Sequence, residues 1–436
     1  MNALKKDEYW LDTYKGVIFK VLSLILTVYN IRLMVSYLGH SIYGDWVTIS
    51  SIVSWMNVGD FGIGNGLRNE ISKLYAHNDK NRIKNTIYST NKLFIIIAVL
   101  MFLVIIVIGK LLVLLNVVSE DYFLPLMLMS FFFALGLFLG RVQSVALGIQ
   151  KTWYTYMSNL IGISISILCY KIVDVFGLKP SLIVCSLFYG ISTIIPLLIV
   201  AILLMHILNS DTDFVYVYEK KLVGNIFNSG FRFFILQLTS LILFSTDNIL
   251  VKYYFGSSEV TKYSLINQIY NTGSSIFFIL INSFWSGVTI HYEKKEVQWI
   301  SFNVKRLLIV LQMFLIGIIF VSLFLNRLIQ LWLGEKDIVY SFSIILIFAI
   351  YCYFDCLQSI FSNLNYGIGN TNLIMKFGIF SSIINIPLSI LFAKLLHMGI
   401  SGIKLGTFVS LIPSWVCIII ITYGIIKKMN YQQTRT

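Results

Sequence analysis

The sequence predicts an all-α polytopic membrane protein, with twelve transmembrane helices in two pseudo-symmetric six-helix bundles. Three observations predict it. Hydrophobic residues make up 57% of the chain and charged residues 12%, with a mean hydropathy of +0.82; soluble domains carry about 25% charged residues. Apolar runs close to the ~20 residues that cross a bilayer recur along the whole chain. The chain also repeats at half its length: Gly39 in YLG answers Gly256 in YFG, 217 residues further on in a chain of 436. A repeat of that kind suggests a transporter built from two related bundles.

In order, the spans read as residues 15–38, 43–64, 86–109, 121–148, 152–176, 180–205, 227–255, 260–290, 302–326, 338–366, 371–396 and 400–426. Leu93–Ile108 and Leu405–Ile426 carry no charge at all. Backbone hydrogen bonding in lipid makes these spans helices, since the alternation of a barrel is absent. The first two form a unit with a tight turn between them. The second breaks in a glycine cluster, Gly59, Gly62, Gly64 and Gly66, before a basic loop with Arg68, Glu70 and Lys73. Pro196, Pro387 and Pro413 fall inside spans and should kink them. The bundles are expected at residues 1–208 and 225–430, with 209–224 as a cytoplasmic linker.

The net charge is +13. In a membrane protein such an excess collects in cytoplasmic loops. Placing both termini inside puts most loop lysines and arginines on that side; Lys404, at the outer end of the last span, is counted with the exterior loops. No basic run or soluble module offers a nucleic-acid site. The five cysteines lie in apolar runs and read as packing residues. The N-terminal apolar stretch is too long for a cleavable signal and contains Lys20 and Arg32. No Walker A sequence is present, the five histidines form no metal or triad pattern, and no exterior loop could hold a catalytic domain. The reading is a non-enzyme without metal or cofactor.

Polar residues inside the spans carry the functional signal. Lys20, Ser23, Thr27 and Asn30 fall within one ~80° arc of the first helix. Their counterparts 217 positions on are Gln237, Ser240, Phe244 and Asp247. Ser50, Ser54, Asn57 and Asn65 share a face of the second span, and their counterparts are Asn267, Asn271, Ser274 and Asn282. Polar faces avoid lipid, so helices one, two, seven and eight are expected to line a shared cavity. Interhelical hydrogen bonding is the competing use of the same residues. Lys20, Arg32, Arg141 and Lys171 are intramembrane cations; Asp247 and Asp355 are intramembrane anions. Ionisable groups at that depth are costly and read as functional, against buried pairing or snorkelling.

YLGHSIYGDW followed by WMNVGDFGIGNGLRNEISK resembles the opening of Wzx-type O-antigen flippases, in the polysaccharide-transporter branch of the MOP exporter superfamily. TDNILVKYYFGSSEVTKYS, Thr246–Ser264, resembles their seventh-helix region. The resemblance implies a MATE-like fold in the bacterial inner membrane and an alternating-access flippase. Its substrate would be undecaprenyl-diphosphate-linked oligosaccharide, its further partners membrane lipids and other polysaccharide assembly proteins, and its drive a proton or sodium gradient. Lys20, Arg32 and Arg141 are the candidate cations for the diphosphate. Asn30, Ser50, Ser54, Asn57, Asn267, Asn271 and Ser274 are the candidate polar lining, and Asp247 and Asp355 an ion-coupling or gating pair. A multidrug antiporter of the same superfamily and a membrane polysaccharide polymerase or ligase are the competing readings.

Overall fold

The computed structural model describes residues 2–54, 59–114, 120–208, 217–333 and 339–433. Its main helices are α1 (Asn2–Ser54), α2 (Ile63–Ala76), α3 (Lys80–Leu114), α4 (Phe123–Gly148), α5 (Trp153–Phe176), α6 (Leu182–Leu208), α7 (Lys220–Phe255), α8 (Ser257–Glu293), α9 (Val297–Leu333), α10 (Phe342–Gly367), α11 (Thr371–Ile390) and α12 (Ile400–Gln433). Among the described residues, eleven helices are long and apolar enough to cross a membrane. The remaining expected span, 43–64, includes residues 55–58, which lie outside the described set.

The expected turn after the first span is a single residue. Gly39 takes φ 71° and ψ 165° inside α1, and Gly256 takes φ 86° and ψ 174° between α7 and α8. A Cβ at either would touch nothing within 4 Å. Glycine is therefore required there by backbone angle, not by room.

The basic loop expected after the glycine cluster is instead a helix, α2. Gly62, at φ 67°, ends the preceding segment in the left-handed region, and the Asp60 carboxylate accepts its N–H at 2.9 Å. Ile63, Leu67, Ile71 and Leu74 then recur at helical spacing and are all buried. Each such burial stabilises by about 1.5–3 kcal/mol, which outweighs the charges on the opposite face. Arg68 is carried inside with them, 2% exposed.

The chain forms two compact units, Met1–Phe234 and Ile235–Thr436, with the boundary inside α7. In the first, α1 packs on α5, and α4 on α2, α3 and α6. In the second, α10 packs on α8, α9 and α12, and α11 on α12. The pairs α3–α4, α4–α6 and α5–α6 recur as α9–α10, α10–α12 and α11–α12, so the internal repeat is visible within each unit.

Local contacts fix the ends of the first unit. The Asp12 carboxylate, 4% exposed, pairs with Lys15 at 3.1 Å and with Lys151 at 2.8 Å. Residues Lys220 and Lys221, expected in the linker, already belong to α7. Just before them, Asn85 and Ser89 of α3 hold the backbone N–H groups of Val217 and Glu219. The first turns of α7 lie against the glycine cluster: a Cβ on Gly62 would stand 2.2 Å from the Gly230 carbonyl oxygen, and one on Gly66 2.6 Å from that of Ile226. In the second unit, a five-residue π turn, Leu391–Leu395, follows Pro387; proline removes a ladder hydrogen bond and widens the helix there.

Candidate functional site

The first unit holds a half-open cavity of about 820 Å³ walled mainly by α1, α4, α5 and α6. That lies within the roughly 300–1,000 Å³ range of ligand pockets. From α1 come Lys20, Ser23, Thr27 and Asn30, with Ser50 further along. From α4 come Arg141, Gln143 and Ser144. The carboxylate-bearing Asp60 reaches the wall from the turn before α2. Ser158, Asn159 and Ser166 of α5 and Tyr189, Ser192 and Thr193 of α6 complete the polar surface.

Arg141 is the most telling residue. Its guanidinium lies 3.9 Å from the ring centroid of Phe138, one turn earlier on α4. Its Nε and Nη1 are buried and have no hydrogen-bond partner. Buried donors without an acceptor cost free energy, more so when charged. A planar cationic fork is matched by phosphate or carboxylate oxygens.

The second unit holds a different arrangement. Asp247 of α7 is 2% exposed. Its carboxylate accepts hydrogen bonds from Tyr263 of α8 at 2.6 Å and Thr407 of α12 at 2.9 Å. Thr407 in turn accepts from Asn385 of α11 at 2.8 Å. Lys404, one turn before Thr407, is not in an exterior loop as its position suggested. It is 2% exposed, because α12 begins at Ile400 and turns this residue inward. Its ammonium donates to Asn267 at 3.1 Å, lies 3.7 Å from the Tyr351 ring centroid, and interacts electrostatically with both Asp247 and Asp355. Asp247 and Lys404 are thus buried in one polar region, and the half-buried Asp355 of α10 interacts with Lys404 electrostatically.

The sequence profile of the polysaccharide biosynthesis protein family matches residues 17–285, more than half of the chain. The chain belongs to that family. A second profile, MatE, matches residues 233–391. A Yersinia pseudotuberculosis protein named for O-antigen export is 21% identical over 361 residues, covering 76% of this chain and 77% of its own. The fold is that of MATE transporters. An outward-facing multidrug resistance MATE transporter of the MOP superfamily superposes with a TM-score of 0.79 at 15% identity, over 96% of both chains. A MOP superfamily transporter from Pyrococcus furiosus, described as having a binding pocket of reverse polarity, gives 0.75 at 14% identity over 96% of both chains. Membership of the MOP superfamily and the all-helical MATE-like fold are as the sequence suggested, and the chain is a multi-pass membrane protein.

Lys20, Asn30, Ser50 and Arg141 come together in the one cavity. Arg32 is exposed and is not among the residues of that wall. Asn57 and the side chain of Ser54 lie outside the described residues. Asn267 holds Lys404, and Asn271 is exposed. Ser274 is buried, donating to the Tyr270 carbonyl at 3.0 Å and standing 3.1 Å from Cys352 Sγ, a packing contact between α8 and α10. Sequence reasoning missed Asp60, Asn159, Ser192, Thr193 and Lys404. On α5 a faint signal existed: Ser158, Gly162 and Ser166 recur every four residues on one face.

Proposed function

We propose that the protein is a flippase for undecaprenyl-diphosphate-linked oligosaccharide, working by alternating access in the bacterial inner membrane with both termini cytoplasmic. The observation that carries this reading is the pair of unpartnered buried Arg141 donors in a cavity that also receives Lys20. A diphosphate supplies the oxygens those donors lack. The name of the Yersinia relative supports the same substrate class. Arg32 is retained as a candidate contact at a separate position on α1. In the second unit, Asp247 and Asp355 serve as a gating pair whose cation is Lys404; a proton or sodium gradient supplies the drive.

The test is export of surface polysaccharide in a strain lacking the gene, complemented at matched protein abundance. Arg141→Ala should abolish most export and Arg141→Lys should restore part of it, since lysine keeps the charge but not the fork. Wild-type export by Arg141→Ala would reject the assignment. Resistance to cationic drugs conferred by the wild-type protein, without export, would instead favour the multidrug reading.

A further inference from the structure

The cavity has a second chemical character beside its cations. Ser23 donates its hydroxyl proton to the Lys20 carbonyl and Thr27 to the Ser23 carbonyl, both at 2.7 Å. Across the cavity, Ser192 and Thr193 both donate to the Tyr189 carbonyl, at 3.0 and 2.7 Å. All four residues line the cavity. With their protons committed to their own helices, they offer only acceptor lone pairs to a ligand. Asn30 completes the pattern. Asn30 lines the cavity; its amide N–H contacts Met34 Sδ at 3.8 Å, and its Oδ1 is buried without a partner.

A surface of acceptors selects a ligand rich in O–H or N–H donors, and a buried acceptor left unpaired discriminates against ligands lacking one. Asn30 lies ten residues from Lys20 on the same helix, about 15 Å along its axis at ~1.5 Å per residue. The group that Asn30 meets is therefore not the anion that Lys20 meets. We propose that Asn30 is a specificity-determining residue, reading a hydrogen-bond donor, hydroxyl or amide N–H, on a sugar ring attached to the diphosphate, with Ser23, Thr27, Ser192 and Thr193 as its acceptor surroundings. This inference rests on the flippase reading.

The two can be separated by calorimetric binding to the purified protein in detergent. The probes are farnesyl diphosphate and the same diphosphate bearing glucose, galactose or N-acetylglucosamine. In the wild type at least one sugar should tighten binding over the sugar-free probe. Asn30→Ala should cut that gain by about tenfold, the scale of one hydrogen bond and an unpaired acceptor, and leave farnesyl diphosphate binding unchanged. Unchanged sugar-free binding also shows that the variant is folded. Should Asn30→Ala not accumulate, Asn30→Thr serves, since its hydroxyl can bond its own helix as Ser23 and Thr27 do. Deoxy analogues of the preferred sugar should locate the donor: the analogue lacking it should bind wild type and variant alike. A full sugar gain in the Asn30 variant, or no sugar gain in the wild type, would overturn the inference alone. No binding of any diphosphate by the wild type, or binding indifferent to Arg141→Ala, would overturn the flippase reading beneath it.

Discussion

Gly39 and Gly256, 217 residues apart, hold the same backbone conformation, φ 71° with ψ 165° and φ 86° with ψ 174°. Each turns the chain from one long helix directly into the next. That region is closed to side-chain-bearing residues at a cost of about 1–3 kcal/mol. Gly39→Ala and Gly256→Ala should each lower the thermal midpoint of the purified protein, by similar amounts. Asparagine should be no better than alanine at either site, because this is not the left-handed helical region that asparagine tolerates. A neutral Gly256→Asn would show that the turn is not conformationally demanding.

The glycines of the α2 turn should behave differently, through space rather than angle alone. Gly66 would place a Cβ 2.6 Å from the Ile226 carbonyl oxygen, whereas Gly140 on the cavity wall meets nothing within 4 Å. Gly66→Ala should reduce the folded yield in membranes, and Gly140→Ala should not. Fluorescence-detected size exclusion would compare them; equal profiles would contradict the close packing.

Lys20 and Arg141 line one cavity and are proposed to hold one anion. Their neutral variants should then be non-additive: Lys20→Gln with Arg141→Gln should lose less export than the two single losses multiplied. Fully multiplicative losses would mean that the two cations act on separate groups.

Lys404 and Asp247 belong to one buried network. Removing one member of such a set leaves the other charge uncompensated, at about 3–5 kcal/mol. Lys404→Met should destabilise the protein strongly, and adding Asp247→Asn should recover much of the loss in a thermal melt. A double variant no better than Lys404→Met would break the link between them.

The α1 stripe was legible because helical spacing put four polar residues, Lys20 to Asn30, on one arc, and a stripe of that length is expensive to turn toward lipid. The glycine repeat was legible because few other residues fill the same backbone role. The walls on α5 and α6 were not. A short polar pair such as Ser158–Asn159 or Ser192–Thr193 in a largely apolar helix has the same local pattern as residues that bond between helices. Lys404 was misplaced for a related reason. A lysine near a span end can snorkel or turn inward, and the choice depends on Asp247 and Asp355, far away in the sequence. Arg68 followed glycines and preceded charges, so the apolar Ile63–Leu74 face was overlooked.

The unit boundary within α7 bears on how the gene could be divided. The linker expected at residues 209–224 suggests itself as the place to split the protein into two co-expressed fragments. A fragment ending there would lack Ile226 and Gly230, and its Gly62 and Gly66 would lose the helix against which they are packed. Fragments cut in that linker should therefore accumulate only together, whichever of them is made first. The first six spans are not a detachable half, and any gene fusion or duplication that shuffles halves must carry the opening turns of α7 along with them.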